Sequence, residues 1–394
     1  MNVAFGADRL VREPALLPSA ARLGLVTNDC ARVSVDPAVR TRRALLDAGL
    51  PIVRLFGPEH GIAASAADGT AVFDATDALT GLPVVSLYGE RMRPSRESIA
   101  DLDAVLFDIP DVGARFYTYV WTLLEVLGAC AEFGVPLVVL DRPNPLGGVL
   151  AQAEGPMLDL ACASFVGGDV IPVRHSLTVG ELARLWQAER YPGAQLTVVA
   201  CVGWRREFLW PDTGLPFVPT SPSMPSFASA LLYPGICLFE ATNVSVGRGT
   251  ALPFQRIGAP WLDAGAVLER LSRTTPRGVR FETDEFSPAI GVYANETIPG
   301  IRIEVTDGHV LRPVALGILL LAAVVTTHRL RFAWWKYPTA ANPSGDGHFE
   351  RLIGRRGVQA RLDASPDTVD GTQVTEWTRA EGWAERVGPT LLYT

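Results

Sequence analysis

The sequence predicts an α/β protein: a Rossmann-like, doubly wound, mostly parallel sheet with a second, smaller α+β domain. Two features predict it. Short runs rich in Val and Leu alternate with helix-like stretches from Leu23 to Leu140. The texture then changes, with a Pro- and Ser-dense stretch from Pro211 to Pro234 leading into a mixed pattern. Runs that are apolar on both faces mark strands buried on both sides of a parallel sheet. Alternating β and α elements argue for the open, doubly wound arrangement.

The strands are expected at Leu23–Thr27, Ile52–Phe56, Val84–Leu87, Ala104–Phe107 and Pro136–Leu140. Helices are expected between them, at Arg40–Ala48, Arg96–Ala100 and Tyr119–Phe133. Thr178 with Glu181 three residues on reads as a capping box that opens a helix over Thr178–Arg190. The strand Leu196–Val202 follows. Pro211–Pro234 reads as one long functional connection. Beyond it, Arg302–Val305 reads as a strand and Val314–Val325 as a fully buried helix. The Rossmann-like domain is therefore expected over residues 1–218 and the α+β domain over 219–394.

Composition narrows the function. Hydrophobic residues at 48% and charged residues at 20% supply a sizeable core and exclude wholesale disorder. A net charge of −7 is not that of a general nucleic-acid binder, which needs a clustered basic surface. The cysteines (Cys30, Cys130, Cys162, Cys201 and Cys237) are odd in number and widely spaced, without a CxxC pair. That pattern argues against a disulfide framework or a zinc site and for reduced, buried thiols. No basic start with an apolar run marks a secretory leader. Val314–Val325 is shorter than the roughly 20 residues that cross a bilayer. The expectation is a cytoplasmic enzyme without membrane or nucleic-acid partners, cofactor or metal, acting on a small molecule or glycan fragment.

Polar groups follow each predicted strand: Asn28, then Gly57-Pro58-Glu59-His60-Gly61, then Tyr88-Gly89, then Asp108 and Asp111, then Asp141-Arg142-Pro143-Asn144. Ligands of open α/β sheets bind outside the carboxyl ends of the strands. Singly, each such residue is as well read as a cap or turn residue; together they point to a cleft at that edge.

Glu59 lies on a stiff turn between Pro58 and Gly61. A carboxyl there serves as general acid or base where its surroundings raise its pKa toward the working pH; otherwise it is a capping or surface Glu. His60 either contacts substrate or is structural. In the segment Asp108–Tyr119, Arg115 is suited to hold a carboxylate bidentately, and Tyr117 to stack on a sugar face. The alternative is an internal Asp111–Arg115 pair that orders a loop. Asn243–Thr250 is Gly-rich and carries Arg248, a combination suited to an anion. Walker A, GxGxxG, HExxH and GxSxG patterns are absent.

Several separated segments carry a resemblance: LFGPEHGI (55–62), PVVSLYG (83–89), LDAVLFDIPDVGARFYTYV (102–120), VLDRPNPLGG (139–148), EGP (154–156), SPSMPS (221–226) and YPGICLFEATNVSVGRGT (233–250). In these the chain resembles the exo-β-N-acetylmuramidases, a glycoside hydrolase family formerly carried as a domain of unknown function. The resemblance implies a Rossmann-like domain and a smaller α+β domain with a cleft between them. It implies release of terminal N-acetylmuramic acid from peptidoglycan fragments, with Glu59 as the catalytic acid. Asp108, Asp111 and Glu154 are then candidates for a second acid, and Arg115 or Arg248 for the partner of the substrate's lactyl carboxylate. Asn28, Tyr88, Arg142, Asn144, His175 and Asn243 fall in the site-forming motifs.

The motifs also depart from the family's pattern. TN-x-TG is here Thr27-Asn28-Asp29-Cys30-Ala31, HGMT is His175-Ser176-Leu177-Thr178, and EGTN is Glu240-Ala241-Thr242-Asn243. SPNMP is here Ser221-Pro222-Ser223-Met224-Pro225, and Ala63-Ala64 stand where the family places Arg-Gly. Two other readings stay open at this level: an enzyme of the same fold acting on another small polar metabolite, and a sugar-binding protein without catalysis.

Overall fold

The structure, a computed structural model, describes residues 3–17, 20–274, 276–340 and 342–394. Strand β1 (Leu23–Thr27) is buried along its whole length and lies inside a seven-stranded sheet. Its companions are β2 (Ile52–Gly57), β3 (Ala75–Thr76), β4 (Pro83–Ser86), β5 (Ala104–Asp108), β6 (Leu137–Leu140) and β7 (Leu196–Val199). The order is β3-β4-β2-β1-β5-β6-β7, and only the short edge strand β3 runs antiparallel. The six parallel strands thus follow the Rossmann order, in which the chain reverses direction across the sheet between β1 and β5. Their register sets Thr27 beside Asp108 at the carboxyl edge.

Alternation along each strand sorts side chains onto two cores. Leu23, Leu25, Leu55, Leu106 and Leu140 face one side, where α1 (Gly6–Arg12) contributes Leu10 and α2 (Thr41–Asp47) contributes Leu45. Val26, Phe56, Val105, Phe107 and Val139 face the other. There they meet α4 (Tyr119–Phe133) and α5 (Val179–Glu189), with α3 (Arg96–Ile99) alongside. The Thr178–Glu181 capping box opens α5 as the sequence indicates.

This second core continues without a break into the C-terminal domain, through α6 (Phe227–Ile236), α7 (Ala264–Leu271) and α8 (Pro313–Thr327). Helices α6 and α8 touch through glycines: a Cβ on Gly235 would stand 1.9 Å from the Pro313 carbonyl oxygen. An antiparallel sheet of β8 (Arg256–Gly258), β9 (Val279–Phe286) and β10 (Ile298–Val305), ordered β8-β10-β9, covers one side. Four short helices follow: α9 (His348–Ile353), α10 (Val358–Ala364), α11 (Gly371–Trp377) and α12 (Trp383–Val387). Among the described residues no helix is long and apolar enough to cross a membrane.

The structure departs from expectation within Pro211–Pro234. Helix α6 starts at Phe227, capped by the Ser226 side chain, and keeps Pro234 in its last turns. The Pro-rich texture ends at the cap, and FASALLY after it is ordinary helix-forming sequence. Strand β9 escaped notice because its residues are largely exposed and charged.

The chain finally returns to the first domain. The Tyr393 hydroxyl donates to Asp141 Oδ2 (2.5 Å) and accepts from the Cys201 amide (2.9 Å). Burial pushes the Asp141 carboxyl up to about 6, against the opposing pull of Tyr393, Gly180 and Thr178 as donors. A carboxyl raised in the fold loses stability as pH climbs from its unfolded value through about 6. Removing a donor to the carboxylate raises it further. Tyr393→Phe is therefore expected to destabilise the protein by about 1–3 kcal/mol. The loss in urea titrations should be greater at pH 8 than at pH 5; an equal loss at both would show that the bond does not bear on the ionised form.

Candidate active site between the two domains

The turn after β2 delivers Glu59. His60 (φ 67°) and Gly61 (φ 72°) both take the left-handed conformation, which turns the chain sharply back. Glu59 is nearly buried, and each carboxylate oxygen has its own donor. The Gly69 amide gives 2.8 Å to Oε1 and the Thr118 hydroxyl 2.6 Å to Oε2. Tyr88 adds a third polar neighbour: burial, and then the adjacent Glu59 carboxylate, push its phenol well above the ordinary value. The carboxylate is thus held in one orientation by groups from three separate loops.

Glu59 lines an open cavity of about 830 Å³, counting the solvent at its mouth. The first domain contributes His60, Asp68, Tyr88, Tyr117, Thr118 and Phe165. The C-terminal domain contributes Tyr233, Glu240, Arg248, Tyr337, His348 and Arg351. The mix of aromatic faces, hydroxyls and charges suits a sugar, whose rings stack and whose hydroxyls need directed partners.

Charge in the cavity is arranged around Arg248. Its guanidinium reaches Asp68 of the first domain and Glu240 of the second, and lies over the Phe254 ring at 5.0 Å. Cys237 Sγ donates to the other Glu240 oxygen (3.1 Å). His60 Nδ1 lies 2.7 Å from the Ala66 carbonyl oxygen, which can only accept, so Nδ1 carries the proton. Its Nε2 then faces Asp68 at 3.6 Å. His348 stacks on Tyr337 at 4.7 Å, and burial, reinforced by Arg351 and Arg248, draws its imidazole down to about 4. It is neutral at ordinary pH. Arg351 has no carboxylate partner among the described residues, so it is the cavity's available cation.

Of the residues singled out in the sequence, Glu59, His60, Tyr88, Tyr117 and Arg248 line this cavity. The others lie elsewhere. Asp108 is fully buried and bound bidentately by Arg142 at 2.6 and 3.0 Å, and Arg142 also reaches Thr41 and the Arg32 carbonyl. Asp111 does not pair with Arg115 but with His175 Nε2 at 3.0 Å. Arg115 is spent on three backbone carbonyls, of Pro156, Ile171 and Leu352. Asn28 takes the Cys30 amide, and Asn144 bridges the Leu146 amide and the Leu177 carbonyl. Glu154 receives the Val314 and Ala315 amides at the start of α8, a helix N-terminus that attracts negative charge. Asn243 ties the Arg331 carbonyl and the Ala333 amide. These nine residues hold the strand ends and the domain junction in place.

Asp68, Thr118, Glu240, Tyr337, His348 and Arg351 were not foreseen. Thr118 and Glu240 stood inside recognised motifs, but the other four carry no local pattern. Among the described residues no cluster of three or more His, Cys, Asp or Glu is placed to hold a metal.

Comparison with known proteins bears on this geometry. The N-terminal model of the exo-β-N-acetylmuramidase NamZ family matches residues 23–228 and its C-terminal model residues 231–393. The chain belongs to the NamZ family. It is 37% identical over 364 residues to the peptidoglycan β-N-acetylmuramidase NamZ of Bacillus subtilis strain 168, covering 92% of this chain and 84% of that protein. Two crystal structures of DUF1343 family proteins from Bacteroides fragilis are also similar. One has a TM-score of 0.87 at 28% identity, the other 0.72 at 27%, each covering 100% of this chain and 99% of the other.

Two departures from the NamZ motifs acquire a physical meaning in the fold. Ala64 and Ser176 stand where the family pattern has glycine, and both take the left-handed backbone, with φ of 52° and 57°. That conformation costs about 1–2 kcal/mol of strain for a residue with a Cβ. Ser176 is also fully buried with its hydroxyl unpartnered. Ser176→Gly is expected to raise stability by about 1 kcal/mol, read as a higher midpoint in urea with an unchanged slope. A lower midpoint would show that the hydroxyl or its volume is needed.

Proposed function

We propose that this chain is an exo-acting glycoside hydrolase that releases terminal N-acetylmuramic acid from peptidoglycan-derived fragments. The observation that carries the reading is Glu59: a carboxyl on a rigid turn, held by Gly69 and Thr118, inside a cavity between two domains lined by aromatic rings, hydroxyls and charges. Glycoside cleavage needs a proton for the leaving oxygen and help at the anomeric carbon. Glu59 supplies the proton. Help at the anomeric carbon comes from Asp68, Glu240 or the substrate's own acetamido group, since Asp108 and Asp111 lie away from the cavity. All five cysteines are unpaired and buried, which fits a reducing, cytoplasmic setting and a diet of recycled wall fragments.

The lactyl carboxylate that distinguishes muramic acid from glucosamine calls for a cation. Arg115 is consumed by backbone carbonyls and Arg248 by two carboxylates. Arg351 is left, on the C-terminal side of the same cavity.

Two measurements test this. Wild type should hydrolyse a chromogenic β-N-acetylmuramide in preference to the matching glucosaminide, and Glu59→Gln should lower kcat by about 10²–10⁴-fold. Folded wild-type protein that cleaves neither substrate would sink the reading. Arg351→Ala should lower kcat/KM on the muramide by about 10–100-fold, the worth of one charge-assisted contact, and leave the glucosaminide rate unchanged. Equal losses on both substrates would assign Arg351 to the fold rather than to recognition.

A further inference from the structure

A second concavity adjoins the cavity of Glu59. It is a groove of about 870 Å³, counting open solvent, and Ser164 and Phe165 bound both spaces. The wall between them can be followed residue by residue. Tyr88 lines the cavity and its successor Gly89 the groove; Thr339 lines the cavity and Ala340 the groove. Ser164 and Gly167 exchange two backbone hydrogen bonds of 2.9 Å each, forming a tight turn that presents Phe165 at its tip. The Phe165 ring packs against Tyr88 at 5.3 Å. The two spaces therefore meet at an aromatic crest made by Tyr88 and Phe165.

Glu59 lies against this crest, because its neighbour Tyr88 is part of it. A proton donor must stand beside the oxygen it protonates. The scissile bond then lies at the crest. The terminal sugar occupies the cavity, and everything on the reducing side of the bond leaves over Phe165. The groove is built to receive it. Trp121 and Leu124, both almost fully buried, lie beneath its floor, Tyr191 gives an aromatic side, and Glu125 and Arg190 a charged rim. Sugars present the same division, with C–H faces for an aromatic side and hydroxyl edges for charged groups.

Building on the hydrolase reading above, we infer that the groove bounded by Trp121, Tyr191, Glu125 and Arg190 binds the leaving-group sugar, an uncharged acetamido-hexose or the first unit of a longer glycan. The groove makes the enzyme selective for oligosaccharide over a simple glycoside, and acts mainly through substrate binding.

The test compares two substrates whose terminal residue is the same: an aryl β-N-acetylmuramide, and a disaccharide with muramic acid at its non-reducing end. Arg190→Ala removes an exposed rim charge, and Met92→Trp fills the groove from a half-buried loop position; neither touches Glu59 or the crest. Each variant should raise KM for the disaccharide tenfold or more, with kcat within about twofold. The aryl glycoside should keep its wild-type kcat/KM. Unchanged disaccharide kinetics in both variants would overturn the groove while leaving the hydrolase reading intact, and so would equal losses on the two substrates. Wild-type protein that cleaves neither substrate would overturn the hydrolase reading and the groove together.

Discussion

The guanidinium of Arg248 is the contact on which the site depends. Among the described residues it alone reaches carboxylates of both domains, Asp68 on the loop after β2 and Glu240 in the turn that follows α6. Glu59, Asp68 and Glu240 would otherwise place three negative charges around one small space. With Arg248 between two of them, Glu59 stays outside the pair and the Arg351 guanidinium has no carboxylate partner among the described residues. A buried pair broken from one side leaves an uncompensated charge, and the penalty exceeds the worth of the pair itself. Here two carboxylates would be left, and the domains would repel across the site they share.

Arginine does similar work elsewhere at this junction. Arg115 binds the carbonyls of Pro156 and Ile171 in the first domain and of Leu352 in the second. Leu352 follows Arg351 on α9. The helix that carries Arg351 is thus fixed at its far end by a fully buried residue of the other domain. Arg115 bears on the cavity through α9 without lining it.

The parallel sheet was legible because its strands are apolar on both faces, and the period of such runs leaves little choice. Glu59 was legible because Pro58 and Gly61 constrain the turn around it. Asp108 misled for a physical reason. A carboxylate at a strand end looks the same in sequence whether it faces a ligand or a neighbour. What decides is strand order: β5 lies beside β6, which sets Asp108 against Arg142. That adjacency is tertiary and leaves no local trace. Arg351 and His348 were invisible for the same reason, since a short helix far along the chain meets the sheet only after folding. Ala64 and Ser176 are a further case, since neither residue type signals the left-handed conformation that each adopts in the fold.

Gly69 joins two geometries in a single residue. Its amide holds Glu59 at 2.8 Å, and its carbonyl accepts the Ala340 amide of the C-terminal domain, also at 2.8 Å. A Cβ there would stand 2.8 Å from Thr339, and φ is 69°. The segment at Ala340 and the Glu59 carboxylate are thus tied through one backbone residue, with no side chain in between. The edge of the cavity and the orientation of its buried carboxylate thereby become one mechanical variable.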